Sequence, residues 1–195
     1  MRIHEIKYEI PIKEEINIKI VHISDIHFYL NYNLHRLYKI KEKIKQINPN
    51  YICITGDLID EYRVVENNYI NYLTNWIKDL SNISKVIITL GNHDIIKKEK
   101  NKYIEYKEIS WLKKITNKNI ILLDNDIYIE GKIKFIGFNP EYKHYYEDKE
   151  KNNDITNKSI EKLLTKNNYY NILLIHTPNV INDTWRINKW KNQKD

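Results

Sequence analysis

The stretch Ile20-Val21-His22-Ile23-Ser24-Asp25-Ile26-His27 runs from a β-branched apolar segment straight into an Asp-x-His pair. Short, near-continuous apolar runs of this kind suit strands buried on both faces. Similar runs return at 51–54, 86–90, 120–123, 133–138 and 172–175. Helical stripes lie between them. Leu34, Leu37, Ile40, Ile44 and Ile47 recur at spacings of three and four, as do Ile70, Leu73, Ile77 and Leu80. Ile104, Glu108, Leu112 and Ile115 predict a third, less regular helix, with the Lys-rich run 97–102 as its solvated start. Asn48-Pro49-Asn50 ends the first helix. Asp124-Asn125-Asp126 and Glu130-Gly131-Lys132 mark turns, so 127–129 and 133–138 predict a hairpin. Strands alternating with helices imply βαβ units, and the hairpin makes the α/β architecture mixed.

A chain of 195 residues fits one domain, read here as 1–195, and can bury a core without staples. Hydrophobic residues make up 42% and charged residues 30%, the balance of a globular chain and not of a disordered one. No uncharged stretch reaches the roughly 18–20 residues of a membrane helix, and the N-terminus does not read as a signal peptide. The lone Cys53 excludes an internal disulfide framework and predicts a reducing, cytoplasmic setting. The formal net charge is +6. There is no alanine, only 4 Gly, and four arginines among 32 basic residues. Ile, Lys and Asn dominate instead, as an AT-rich coding sequence favours. Lysines are interleaved with glutamates, so the charge reads as coding bias and not as a nucleic-acid footprint. The 16 tyrosines are scattered and form no stacking motif.

The chemistry-bearing residues follow the apolar runs. They are Asp25 and His27; Gly56-Asp57-Leu58-Ile59-Asp60; Gly91-Asn92-His93-Asp94; and His176. Ligand sites of open α/β sheets collect at the C-terminal ends of the strands. Carboxylates together with imidazoles suit Mn, Fe or Zn, whereas Ca and Mg prefer oxygen alone. In an extended chain Asp25 and His27 point to the same side and can reach one ion. His22 has the opposite parity from Asp25, so it belongs to the core or behind the site. Gly56 and Gly91 each precede a candidate ligand, where a sharp turn and close backbone approach are needed. Singly, Asp57 and Asn92 read equally well as helix caps or Asx-turns. Asp60 reads as a cap or supporting group, Cys53 as a small buried hydrophobe, and Trp76 and Trp111 as packing residues.

In this order the motifs resemble those of the calcineurin-like metallophosphoesterase superfamily. The segments at 21–27, 56–60 and 172–178 are most similar to bacterial phosphodiesterase-like members. The resemblance implies a sandwich of mixed β-sheets flanked by helices, acting on a phosphodiester or phosphomonoester. It implies two divalent metal ions. Asp25 and His27 would bind the first, Asp57 would bridge both, and Asn92 and His176 would bind the second. His93 would protonate the leaving group, with Asp94 orienting it. Two ions about 3.5–4 Å apart clamp the attacking and leaving oxygens of an in-line displacement and make hydroxide available near neutral pH. Asn92 adds no negative charge beside an anionic substrate, and the His pKa suits acid work.

One family motif is missing. A Gly-His-x-His, which gives one ligand to each metal, does not occur, and no histidine follows His176. Each ion is then one protein ligand short. The expectation is a domain incomplete at its C-terminus, lacking the family's final strands. Beside the active hydrolase stand two alternatives, a truncated and catalytically impaired member and a non-catalytic binding module on the same fold. His144 reads as a solvated loop residue and not as a replacement ligand.

Overall fold

A computed structural model describes residues 3–11, 17–60, 62–99, 102–105, 109–139 and 168–177. The elements are β1 (Ile20–Ile23), α1 (Leu34–Ile47), β2 (Tyr51–Thr55), α2 (Arg63–Glu66), α3 (Ile70–Ser81), β3 (Lys85–Thr89) and α4 (Asn92–Ile95). They continue with β4 (Ile96–Glu99), β5 (Lys102–Glu105), α5 (Ser110–Lys113), β6 (Ile120–Leu122), β7 (Asp126–Glu130), β8 (Ile133–Phe138) and β9 (Tyr170–Ile175).

Strands β1, β2, β3 and β6 form a parallel sheet in the order β1-β2-β3-β6. A second, mixed sheet runs β7-β8-β9, with β7 antiparallel and β9 parallel to β8. The two faces of the parallel sheet explain its unbroken apolar runs. Ile52, Ile54, Val86 and Ile88 face the helices and join Leu37, Ile44, Leu73, Ile77, Leu80 and Leu112 in the larger core. Their neighbours Tyr51, Cys53 and Ile87 face the second sheet and pack on Ile133, Phe135 and Leu174. Alternation along each strand thus serves two cores, and neither face carries a solvent stripe. Cys53, Trp76 and Trp111 are all buried, as their neighbours suggest.

The first helix ends at Asn48 as read, and the structure adds a cap at its start. Asn33 caps α1 by accepting the His35 N–H at 3.1 Å, and Asn48 ends it in the left-handed region with its N–H on the Ile44 carbonyl. The hairpin between β7 and β8 turns through Gly131-Lys132.

The third helix is a correction. Among the described residues of 96–115 only Ser110–Lys113 is helical, and the described part of the Lys-rich run lies in strands. Ile96–Glu99 and Lys102–Glu105 pair as an antiparallel hairpin with Glu99 opposite Lys102 and Ile96 opposite Glu105. The few apolar residues of 96–105 fit a strand period as well as a helical one. His144 and the segment 178–195 lie outside the described residues.

Phe135 is fully buried between the sheets, with its ring 4.9 Å from that of Tyr51. Phe135→Ala is expected to cost about 3–5 kcal/mol, read as a lower urea midpoint at unchanged m-value.

Candidate metal centre

The C-terminal ends of β1, β2, β3 and β9 meet on one edge. Beyond β1 the chain keeps its parallel pairing to the segment after β2. The N–H groups of Asp25, His27 and Phe28 donate to the carbonyls of Gly56 (3.2 Å), Asp57 (2.9 Å) and Leu58 (2.9 Å). Asp25, His27 and Asp57 have φ values of 57°, 46° and 50°. Asp and His tolerate this left-handed region better than most residues, yet each such residue still stores roughly 1–3 kcal/mol. The extended geometry expected for Asp25-x-His27 is therefore corrected. The two side chains do converge, with Asp25 Oδ1 3.6 Å from His27 Nε2, but through two left-handed turns and not through strand parity.

Asp57 sits at the centre, with only 3% of its surface exposed. Its Oδ1 accepts the His93 backbone N–H at 3.0 Å. Its Oδ2 lies 3.4 Å from His27 Nε2 and 3.3 Å from His176 Nε2. Two glycines make room for it. A Cβ on Gly56 would stand 2.4 Å from the Gly91 nitrogen, and a Cβ on Gly91 would stand 2.2 Å from Asp57 Oδ1. The loops after β2 and β3 touch backbone to backbone, which only glycine allows.

Each imidazole is held by its far nitrogen. His27 Nδ1 donates to Asp60 Oδ1 at 3.1 Å, His93 Nδ1 to the Asp60 carbonyl at 2.9 Å, and His176 Nδ1 to the Thr55 carbonyl at 2.8 Å. These acceptors fix a proton on Nδ1, so that in the neutral ring the lone pair lies on Nε2. That is the donor set a divalent ion requires, so the residues fit the metals that the motifs imply. Among the described residues, donor atoms within 4.8 Å of one another fall into two groups, His27–Asp57–His93 and Asp25–Asp57–His176. Asp57 belongs to both. Asn92 begins α4 beside His93 and is half-buried at the same edge.

Asp94 departs from its expected role. Its Oδ1 accepts the Ile59 N–H at 3.1 Å and its Oδ2 the Gly91 N–H at 2.9 Å. It ties the two glycine loops together from beneath, and the Asp60 carbonyl, not Asp94, orients the His93 ring. Asp60 is thus the residue whose weight the sequence understated: it serves two rings, one through its side chain and one through its backbone. Its signal was the Asp57-x-x-Asp60 spacing. His22 lies behind the site with Nε2 2.7 Å from Thr55 Oγ1.

The electrostatics fit a site built for cations. Burial works against the charge on His176, but its hydrogen bond to Asp57 and that carboxylate's charge outweigh it and push the imidazole up to about 9. Burial alone would raise Asp57, yet His176 and the His93 N–H hold it below the usual carboxylate range. Burial pushes Asp94 up to about 6 despite two N–H donors.

A family model for calcineurin-like phosphoesterases matches residues 18–193. The chain belongs to that family. A comparison with curated proteins finds no match. The calcineurin-like phosphoesterases act on phosphoesters and typically bind divalent metals, which agrees with the donor set here. The mixed α/β sandwich agrees with the same assignment. No helix among the described residues is long and apolar enough to cross a membrane.

Gly91→Ala is expected to displace Asp57 and weaken Mn²⁺ affinity at least about 10-fold by calorimetry, while the far-UV spectrum stays native. A second expectation concerns pH. The folded-state pKa of His176 lies above its unfolded value, so its stabilisation is complete below about 6.5 and is lost as pH rises through about 9. The Tm of metal-free protein should fall over that window. Metal uptake at pH 7.5 should release a proton, read by titration in buffers of different ionisation enthalpy.

Proposed function

We propose that this chain hydrolyses a phosphodiester or phosphomonoester at a two-metal centre. The observation that carries the reading is the placement of Asp57 Oδ2 between His27 Nε2 and His176 Nε2, with Asp57 common to both donor groups. By the family pattern Asp25 and His27 would hold one ion and Asn92 and His176 the other; the donor groups here pair them differently, Asp25 with His176 and His27 with His93, and the feature common to both arrangements is the sharing of Asp57. Mn, Fe or Zn fits these mixed nitrogen and oxygen donors. When bound, the ions supply Lewis-acid charge and lower the pKa of water into the neutral range.

The chain's own groups do the rest. Asp57 is fixed by the His93 N–H on one oxygen, so its other oxygen keeps one direction. Asn92 contributes a ligand without adding negative charge beside an anionic substrate. His93, when protonated on both ring nitrogens, would deliver its Nε2 proton to the leaving oxygen and be left neutral, with Nδ1–H still engaged with the Asp60 carbonyl. Asp60 holds His27 in the matching tautomer. We read the setting as cytoplasmic, a reading that the buried, lone thiol of Cys53 supports.

The test is Mn²⁺-dependent hydrolysis of bis(p-nitrophenyl) phosphate. Asp57→Asn is expected to lower kcat/KM by more than about 100-fold and to reduce metal uptake. Hydrolysis that survives this substitution sinks the two-metal account. Wild-type chain that binds no Mn²⁺ moves the assignment to an impaired member or a binding module on this fold.

A further inference from the structure

We propose that Asn139, at the end of β8 in the second sheet, is a positioning residue for the loop that carries Asn92 and His93. This inference rests on the reading above, in which His93 supplies the leaving-group proton. Asn139 obeys the rule that marked the other site residues, since it is the polar residue directly after an apolar run. It is 7% exposed.

Its amide completes a gap in the first sheet. The β3–β6 pairing runs to Ile88 opposite Leu122, and the Leu123 N–H donates to the Ile88 carbonyl at 2.8 Å. The next inward N–H of that strand belongs to Leu90. Asn139 Oδ1 accepts it at 2.9 Å. On the other side, Asn139 Nδ2 donates to the Leu123 carbonyl at 3.3 Å and to Asp124 Oδ1 at 2.8 Å. Its backbone N–H donates to Asn125 Oδ1 at 3.0 Å. Acceptor and donor ends of the amide are therefore unambiguous. A single side chain replaces one rung of the ladder and ties together the ends of β3, β6 and β8.

The close approach that permits this is built into β8. A Cβ on Gly137 would stand 2.2 Å from Leu123 Cβ and 2.9 Å from Thr89 Cγ2. Without a side chain there, β8 presses onto the end of β3, and Asn139 reaches Leu90. From Leu90 the path to the site is short. Gly91 follows, clamped by Asp94 and packed on Asp57, and then come Asn92 and His93.

No isostere meets all these demands. Aspartate would set a carboxylate against the Leu123 carbonyl and Asp124. Leucine or alanine would leave the buried Leu90 N–H without its acceptor.

The experiment compares wild type, Asn139→Ala and His93→Ala on phosphodiesters whose leaving groups run from nitrophenolate through phenolate to alkoxide. Mn²⁺ affinity is measured by calorimetry alongside. A lost general acid harms poor leaving groups most. Asn139→Ala is expected to lower kcat about 10–100-fold on the alkoxide esters and far less on the nitrophenyl ester, with KM little changed. Its Mn²⁺ affinity should fall about 10-fold through Asn92. An equal loss across all leaving groups in a folded variant overturns the proposal. If His93→Ala itself shows no leaving-group dependence, or wild type does not hydrolyse the esters, the acid role fails and the affinity decides: unchanged Mn²⁺ affinity in Asn139→Ala overturns the proposal. Should Asn139→Ala not fold, Asp124→Ala removes one acceptor of the amide from the exposed side and must show a weaker form of the same pattern.

Discussion

Everything at the candidate site depends on burying one ionised carboxylate where two glycine backbones touch. Asp57 is almost fully enclosed, and an isolated charge there would be very costly. Its oxygens are met by the His93 N–H on one side and the His176 ring on the other. The contact between Gly56 and Gly91 is what lets the loops after β2 and β3 close around it. Asp94 then locks those loops by accepting N–H groups from both. Two acids thus divide the labour. Asp57 faces the site and keeps a depressed pKa, whereas Asp94 is sealed beneath and its pKa rises.

The backbone shows the same concentration of purpose. Three of the residues with positive φ are Asp25, His27 and Asp57, and all three offer donor atoms at the centre. Such strain persists only where the surroundings over-determine it. Here the continued pairing of 25–28 with 56–58 does so, because the N–H groups of Asp25, His27 and Phe28 each have a fixed carbonyl to meet. A flexible loop with the same residues would spread these donors apart.

Much of this was legible from the chain. Apolar runs located β1, β2, β3, β6, β8 and β9, because a strand buried on both faces has no polar alternation to blur it. The stripes at 34–47 and 70–80 located α1 and α3, since each buries one continuous face. Polar residues after those runs located the site, and glycine scarcity gave Gly56 and Gly91 their weight. The hairpin at 96–105 was not legible, because short runs of lysine with isolated Ile and Tyr satisfy a helical and a strand period equally well. The role of Asp94 was hidden for another reason. The family resemblance made it the residue that orients His93, but within a single helical turn neighbouring side chains point apart.

The second sheet gives the site its depth. His176 comes from β9, whose Ile175 pairs with Phe138 of β8, and Asn139 follows directly after that pair. One strand pair therefore delivers a donor atom to Asp57 and an amide to the loop bearing His93. The first sheet alone could supply Asp25, His27, Asp57 and Asn92, but it would leave the Asp57–His176 ion pair unmade. In that pair a proton stands where a cation is wanted. The hydrogen bond to Asp57 and that carboxylate's charge outweigh burial and raise the His176 pKa, so a cation binding at Nε2 would have to displace a proton. The buried Asp57 carboxylate is thus matched by an opposite charge delivered from the second sheet.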